Sequence, residues 1–188
     1  MRAFIGIALP SAIREALGEL QGELARSQAD VKWVLPEQLH VTLKFLGEIT
    51  ELQRQAVEAM LRKMAEPEAP FQLSLEGVGA FPSIHAPRVI WVGIRAGKKR
   101  VERIAHAIER EGERIRLQKD ERPFAAHVTL GRVRSPQRLK PLADQLQAVV
   151  WQPLAPWRVE SLTLYESRLS SSGPSYTVLA DAPLKPAA

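Results

Sequence analysis

The word His40-Val41-Thr42-Leu43 returns letter for letter as His127-Val128-Thr129-Leu130. The two copies lie 87 residues apart (127 − 40), close to half of the 188-residue chain. A word repeated at half the chain length predicts two similar halves related by a pseudo-twofold axis. The flanking pattern agrees. Each half reads as a strand, a helix and further strands. Strands are expected at Arg2–Ala8, Val31–Val34, Leu39–Leu46, Phe71–Leu75, Arg88–Arg95, Ala126–Val133, Val159–Leu164 and Tyr176–Leu179. Helices are expected from Ser11 to about Ala25, from Thr50 to about Ala65, from Lys99 to about Glu113, and from Ser135–Pro136 to about Val149. The first helix carries an apolar stripe of Ile13, Leu17, Leu20 and Leu24, at helical spacing. Thr50 and Gln53 have the spacing of a capping box. Many connections are too short for parallel crossovers, so mostly antiparallel sheets follow. The expected fold class is α+β: two similar lobes in one domain spanning 1–188, a cleft between them and helices on the outer faces.

The strand reading gives the repeated word its chemistry. Residues i and i+2 of a strand share a face. His40 and Thr42 then point one way and Val41 and Leu43 the other, and His127 and Thr129 repeat the arrangement. Two His–Thr pairs facing one cleft suit a phosphate ester. One imidazole takes a proton from the attacking oxygen and the other protonates the leaving oxygen, while hydroxyls hold the phosphoryl oxygens. Histidine serves both roles because it titrates near neutral pH. One such word is more simply an ordinary strand with a half-exposed histidine; two in register reverse that preference. Lys44 is in phase with His40 and Thr42 and is a further candidate for the phosphate. Arg132 is out of phase with His127 and needs a bulge to reach it. Phe124 could stack on a base, although core packing suits it better, and Trp33 and Trp91 read as core. His85, in a Gly/Pro-rich connection, and His106, off its helix's apolar stripe, read as solvent-facing.

Composition narrows the classes. No cysteine is present, which excludes disulfides and thiolate chemistry and points to the cytoplasm. The basic and apolar start, Arg2–Leu9, is too short for a signal peptide and is interrupted by Pro10, so it reads as a strand. No apolar run is long enough to cross a bilayer. No His-Glu-x-x-His or comparable ligand pattern accompanies the motif strands, so neither metal nor cofactor is expected. The net charge is +5. It concentrates between Arg88 and Lys140, where fifteen basic residues meet six acidic ones. Such a segment suits an anionic partner such as RNA. There is no Lys-x-Asp-Gly motif and no Gly-rich phosphate loop, which argues against an ATP-dependent ligase.

Lys32-Trp33-Val34 followed by Leu39 through Glu48 resembles the first signature of the bacterial and archaeal RNA 2′,3′-cyclic phosphodiesterases. Arg122-Pro123-Phe124 followed by His127 through Arg132 resembles the second. These proteins, also called 2′-5′ RNA ligase-like, belong to the two-histidine phosphoesterase superfamily. Phe4, Gly79-Ala80-Phe81-Pro82, Arg88–Trp91 and Ser167 through Tyr176 fit as well, so the resemblance spans essentially the whole chain. One departure is Ala126, where the family often has proline. The resemblance implies His40 as proton donor and His127 as proton acceptor, with Thr42 and Thr129 on the phosphate. It lends Arg132 weight as a site residue. It further implies hydrolysis of RNA 2′,3′-cyclic phosphate ends to 2′-phosphates, with tRNA fragments among the candidate RNAs. The reverse reaction would be 2′-5′ ligation. A monomer is expected. The alternatives are a phosphodiesterase for small cyclic nucleotides and an RNA-binding protein without turnover.

Overall fold

The structure is a computed structural model describing residues 1–151, 154–170 and 173–185. Among the described residues, ten strands and four α-helices run in the order β1 (Arg2–Ala8), α1 (Ser11–Ala25), β2 (Val31–Trp33), β3 (His40–Glu48), α2 (Glu51–Ala65), β4 (Phe71–Leu73), β5 (Leu75–Ser83), β6 (Ala86–Ile94), α3 (Lys98–Arg114), β7 (His127–Val133), α4 (Leu139–Ala148), β8 (Trp157–Val159), β9 (Ser161–Ser170) and β10 (Gly173–Pro183). Thr50 caps α2 as expected, with Gln53 reaching back to complete the capping box.

The main sheet has the order β10-β9-β1-β3-β7-β6-β5, with β2 added against β7. Among the described residues, every pairing along it is antiparallel. The two lobes meet where β3 touches β7, through the single register pair Val41↔Val128. These residues are the same letter of the two repeated words, 87 apart (128 − 41), so the pseudo-twofold axis passes between them. Strands β4 and β8 pair across the same axis as a second small sheet.

Alternation builds the layers. Val41, Leu43, Val128 and Leu130 are buried on the helix side, while His40, Thr42, His127 and Thr129 stay half-buried on the other. Burying one such valine or leucine contributes roughly 1.5–3 kcal/mol. Helix α3 packs on β3, α2 on β9 and β10, and α4 on β6. Helix α1, which follows β1 in the first half, serves the second lobe: its buried Gln21 donates from Nε2 to the carbonyl of Leu130 at 2.8 Å. The first helix of each half thus crosses to the opposite lobe, α1 toward β7 and α3 onto β3, which ties the halves into one core.

Two expectations change. The Gly/Pro-rich stretch before Arg88 is not a connection but a strand, β5, kept in the sheet by register shifts at Glu76/Val78 and Phe81/Pro82. Gly77, at φ +74, accommodates the first of them without a side-chain penalty. Helix α4 starts at Leu139 instead of Ser135–Pro136, and Arg138 before it adopts a left-handed conformation. Of the expected loop Ser170–Gly173, Ser170 ends β9 and pairs with Gly173, the first residue of β10, and positions 171–172 lie outside the described residues.

Candidate active site

The face of the sheet opposite the helices carries a cleft of about 250 Å³ whose lining includes His40, Thr42, Phe45, Thr129, Arg132 and Tyr176. It is built by β3 and β7 from the two lobes. Extending the Val41↔Val128 register by one residue sets His40 across from Thr129 and Thr42 across from His127. Directly opposed residues stand about 4.5–5.5 Å apart at Cβ. The register therefore sets two His–Thr pairs beside each other, each histidine facing the other lobe's threonine; His40, Thr42 and Thr129 line the cleft, and His127 stands close enough for its charge to act on His40.

Both rings are held the same way. His40 Nδ1 lies 2.7 Å from the carbonyl of Gln38, and His127 Nδ1 lies 2.7 Å from the carbonyl of Ala125. A carbonyl only accepts, so each Nδ1 carries the hydrogen and each Nε2 is left for chemistry. Thr42 Oγ1 is 2.9 Å from His40 Nε2 and donates to it when the ring is neutral. Burial lowers the pKa of both histidines, against the raising effect of the carbonyl contacts. The charge of His127 lowers that of His40 further, and Arg132 does the same to His127.

The supporting walls differ between the lobes. Phe4 stacks on His40 at 4.5 Å and Tyr176 meets it edge-on at 5.4 Å. Gly6 makes this closeness possible. A Cβ there would stand 2.8 Å from the Val41 carbonyl oxygen and 3.4 Å from His40 Cδ2. His127 meets the edge of Phe81 at 5.2 Å, and Phe81 in turn lies 5.2 Å from Trp91. Trp91, expected in the core, faces the cleft side instead: it alternates with buried Ile90 and Val92 and lies opposite Thr129. Trp33 does pack against the core.

A bulge decides the remaining candidates. Along β3 the register with β1 slips between Ile5↔Lys44 and Gly6↔Thr42, leaving Leu43 as an extra residue. Beyond it the face inverts. Lys44, expected on the phosphate side, is turned to the helix side with a side chain only 1% exposed, bonded to Glu109 at 2.5 Å and Asp120 at 3.4 Å. Phe45, which sequence reasoning missed, takes the cleft face. Strand β7 has the same slip at Leu130, and it brings Arg132 into the cleft. Phe45 and Arg132 are again 87 apart (132 − 45), so applying the bulge to both halves would have found Phe45. Gly131 is the counterpart of Lys44, and there β2 leaves no room: a Cβ would lie 2.7 Å from Val31 Cγ1. Phe124 packs against the core and the edge of His106, away from the cleft lining.

The basic segment is not gathered at the cleft either. Arg132 is its one contribution to the lining, which otherwise includes the basic residue Arg2. Much of the rest lies on α3, behind the sheet, where Arg100 and Arg103 pair with Glu68 and Arg114 with Glu111. His106 is exposed, and His85 is exposed as well. Among the described residues, no group of three or more His, Cys, Asp or Glu side chains stands together as a metal site. Among the same residues, no helix is long and apolar enough to cross a membrane.

A two-lobed antiparallel sheet presenting opposed His-x-Thr units is the architecture of a two-histidine phosphoesterase. The LigT-like phosphoesterase family model matches residues 7–91 and again 92–176, once for each half, and the chain belongs to that family. An RNA 2′,3′-cyclic phosphodiesterase of Aquifex aeolicus is 32% identical over 180 residues, covering 95% of both chains. One from Thermus thermophilus is 36% identical over 192 residues, covering 95% of this chain and 88% of the relative. Among solved structures, one of a Thermus thermophilus protein superimposes with a TM-score of 0.81 at 33% identity over 99% of both chains. E. coli LigT complexed with 3′-AMP gives 0.78 at 27% identity over 97% of both.

Proposed function

We propose that this chain, acting as one two-lobed domain, hydrolyses RNA 2′,3′-cyclic phosphate ends to 2′-phosphate ends without a metal ion. The observation that carries the reading is the pair of His-x-Thr units opposed across the Val41↔Val128 register. The names of the Aquifex and Thermus relatives support the substrate class. His127 Nε2 takes a proton from a water molecule as its oxygen attacks the phosphorus. The bond from phosphorus to O3′ breaks, and His40 Nε2 gives its proton to that oxygen. The product has a 3′-hydroxyl and a 2′-phosphate, and the two imidazoles have exchanged protonation states. Thr42, Thr129 and Arg132 bind the phosphoryl oxygens, the guanidinium offsetting their charge. An RNA 5′-hydroxyl attacking the cyclic phosphate in place of water, the reverse of cleaving a 2′-5′ linkage, gives that linkage.

The direct test is an oligonucleotide ending in a 2′,3′-cyclic phosphate, incubated with the protein in chelator. Hydrolysis to a 2′-phosphate end at an unchanged rate is expected. A 3′-phosphate product would reverse the leaving oxygen, and activity restored only by a divalent ion would overturn the metal-free mechanism. Binding without turnover would leave an RNA-binding protein, and hydrolysis of mononucleotides alone a small cyclic-nucleotide phosphodiesterase.

The histidine environment sets the pH dependence. The profile of kcat/KM reports the free enzyme, and a base with an acid gives a bell centred between their two pKa values. Both are lowered by burial, so the optimum should fall on the acid side of the ordinary histidine value of ~6.5. In kcat the bound phosphate favours the imidazolium, and the limb set by the acid should move to higher pH. A kcat/KM optimum well above neutrality would contradict this assignment.

A further inference from the structure

We propose that Arg2 holds a second phosphate of the substrate, the one on the 5′ side of the terminal nucleoside. The inference rests on the cyclic phosphodiesterase reading and adds a subsite to it. Strand β1 carries Arg2, Phe4 and Gly6 on the cleft face at the strand period of two. Gly6 lies under the His40 ring and Phe4 stacks on it. Arg2 stands two residues further out, about 7 Å along the strand. It lines the same cleft as His40 and Thr42. Its side chain is exposed and, among the described residues, makes no hydrogen bond or ion pair. Glu48, its register partner, is engaged instead with the N-terminal ammonium at 3.2 Å. Beside it, Gly47 has φ +65 and nothing within 4 Å of where a Cβ would stand, which leaves open space for a ligand.

The charge of Arg2 reaches into the cleft. Both Arg2 and Arg132 act on the Tyr176 hydroxyl, offsetting part of the rise that burial gives its pKa. Arg132 is the cation felt by His127, and so belongs with the reacting phosphate. Arg2 is the cation at the other end, past the Phe4 ring. Two cations separated along one cleft match the two phosphates that flank a single ribose. A guanidinium without a carboxylate partner is suited to a phosphate, which it can meet with two parallel hydrogen bonds.

The probes are adenosine 2′,3′-cyclic phosphate and the same nucleotide bearing a 5′-phosphate. The wild-type protein should favour the 5′-phosphorylated form by about ten- to hundredfold in kcat/KM, the range expected for one charge-assisted contact. Arg2→Gln should bring the ratio of the two values close to one, and Arg2→Lys should give an intermediate ratio. Rising salt should shrink the wild-type ratio. A wild-type ratio near one, or an Arg2→Gln ratio equal to the wild type's, overturns the subsite while leaving the phosphodiesterase reading intact. Hydrolysis of neither probe, nor of a cyclic-phosphate oligonucleotide, overturns that reading and the subsite with it.

Discussion

His40→Ala and His127→Ala are each expected to lower kcat by about 10²–10⁴-fold, the usual contribution of a positioned general acid or base. Both proteins should stay folded. The two rings sit on the open side of the sheet, half-buried, and the core beneath them is made by Val41 and Val128. Circular dichroism and thermal melting close to wild type would establish this. The two losses should respond differently to the leaving group. Replacing O3′ by a group that leaves without a proton should rescue His40→Ala, since in the proposed mechanism His40 is the donor. It should not rescue His127→Ala, since activating water still needs a base. The opposite rescue pattern would exchange the two roles. Near-wild-type turnover in both variants would remove the catalytic proposal altogether. Thr42→Ala and Thr129→Ala should lose less than either histidine variant, because a hydroxyl places the phosphate and carries no proton in the reaction.

Lys44→Ala should act on stability, with an expected loss of about 2–4 kcal/mol. The substitution removes most of a buried aliphatic stem and leaves a cavity. It also strips the Glu109 and Asp120 carboxylates of their shared cation. Water reaches both carboxylates, at 23% and 49% exposure, so the cost stays below that of a fully buried pair. For a chain of this size the melting temperature should fall by roughly 4–16 °C. Lys44→Met, which keeps the volume, should cost less than Lys44→Ala. A Lys44/Glu109 double-mutant cycle in urea should show coupling between the two residues. The decisive contrast is with a phosphate ligand: a variant of unchanged stability and weakened phosphate affinity would put Lys44 back in the cleft.

Local pattern carried most of the architecture. Helix α1 was legible from its apolar stripe and α2 from the Thr50–Gln53 capping box, whereas the start of α4 was placed too early, at Ser135–Pro136. Strand β5 was hidden, because its glycines and proline are turn signals wherever register shifts do not absorb them. The charge excess was visible as a count, but that Arg132 is its contribution to the cleft lining depends on the tertiary fold.

The repeated word, by itself, determined that two His–Thr pairs share a face. Period two is a property of the extended backbone and needs no partner. Its 87-residue spacing also determined the symmetry that sets Val41 against Val128. The tertiary structure alone decided which side Lys44 and Phe45 take, and that Arg132 reaches the cleft. Those sides depend on one extra residue at Leu43 and another at Leu130, fixed by the register with β1 and β6. Register is a contact between strands distant in sequence, and one added residue turns every side chain beyond it to the other face.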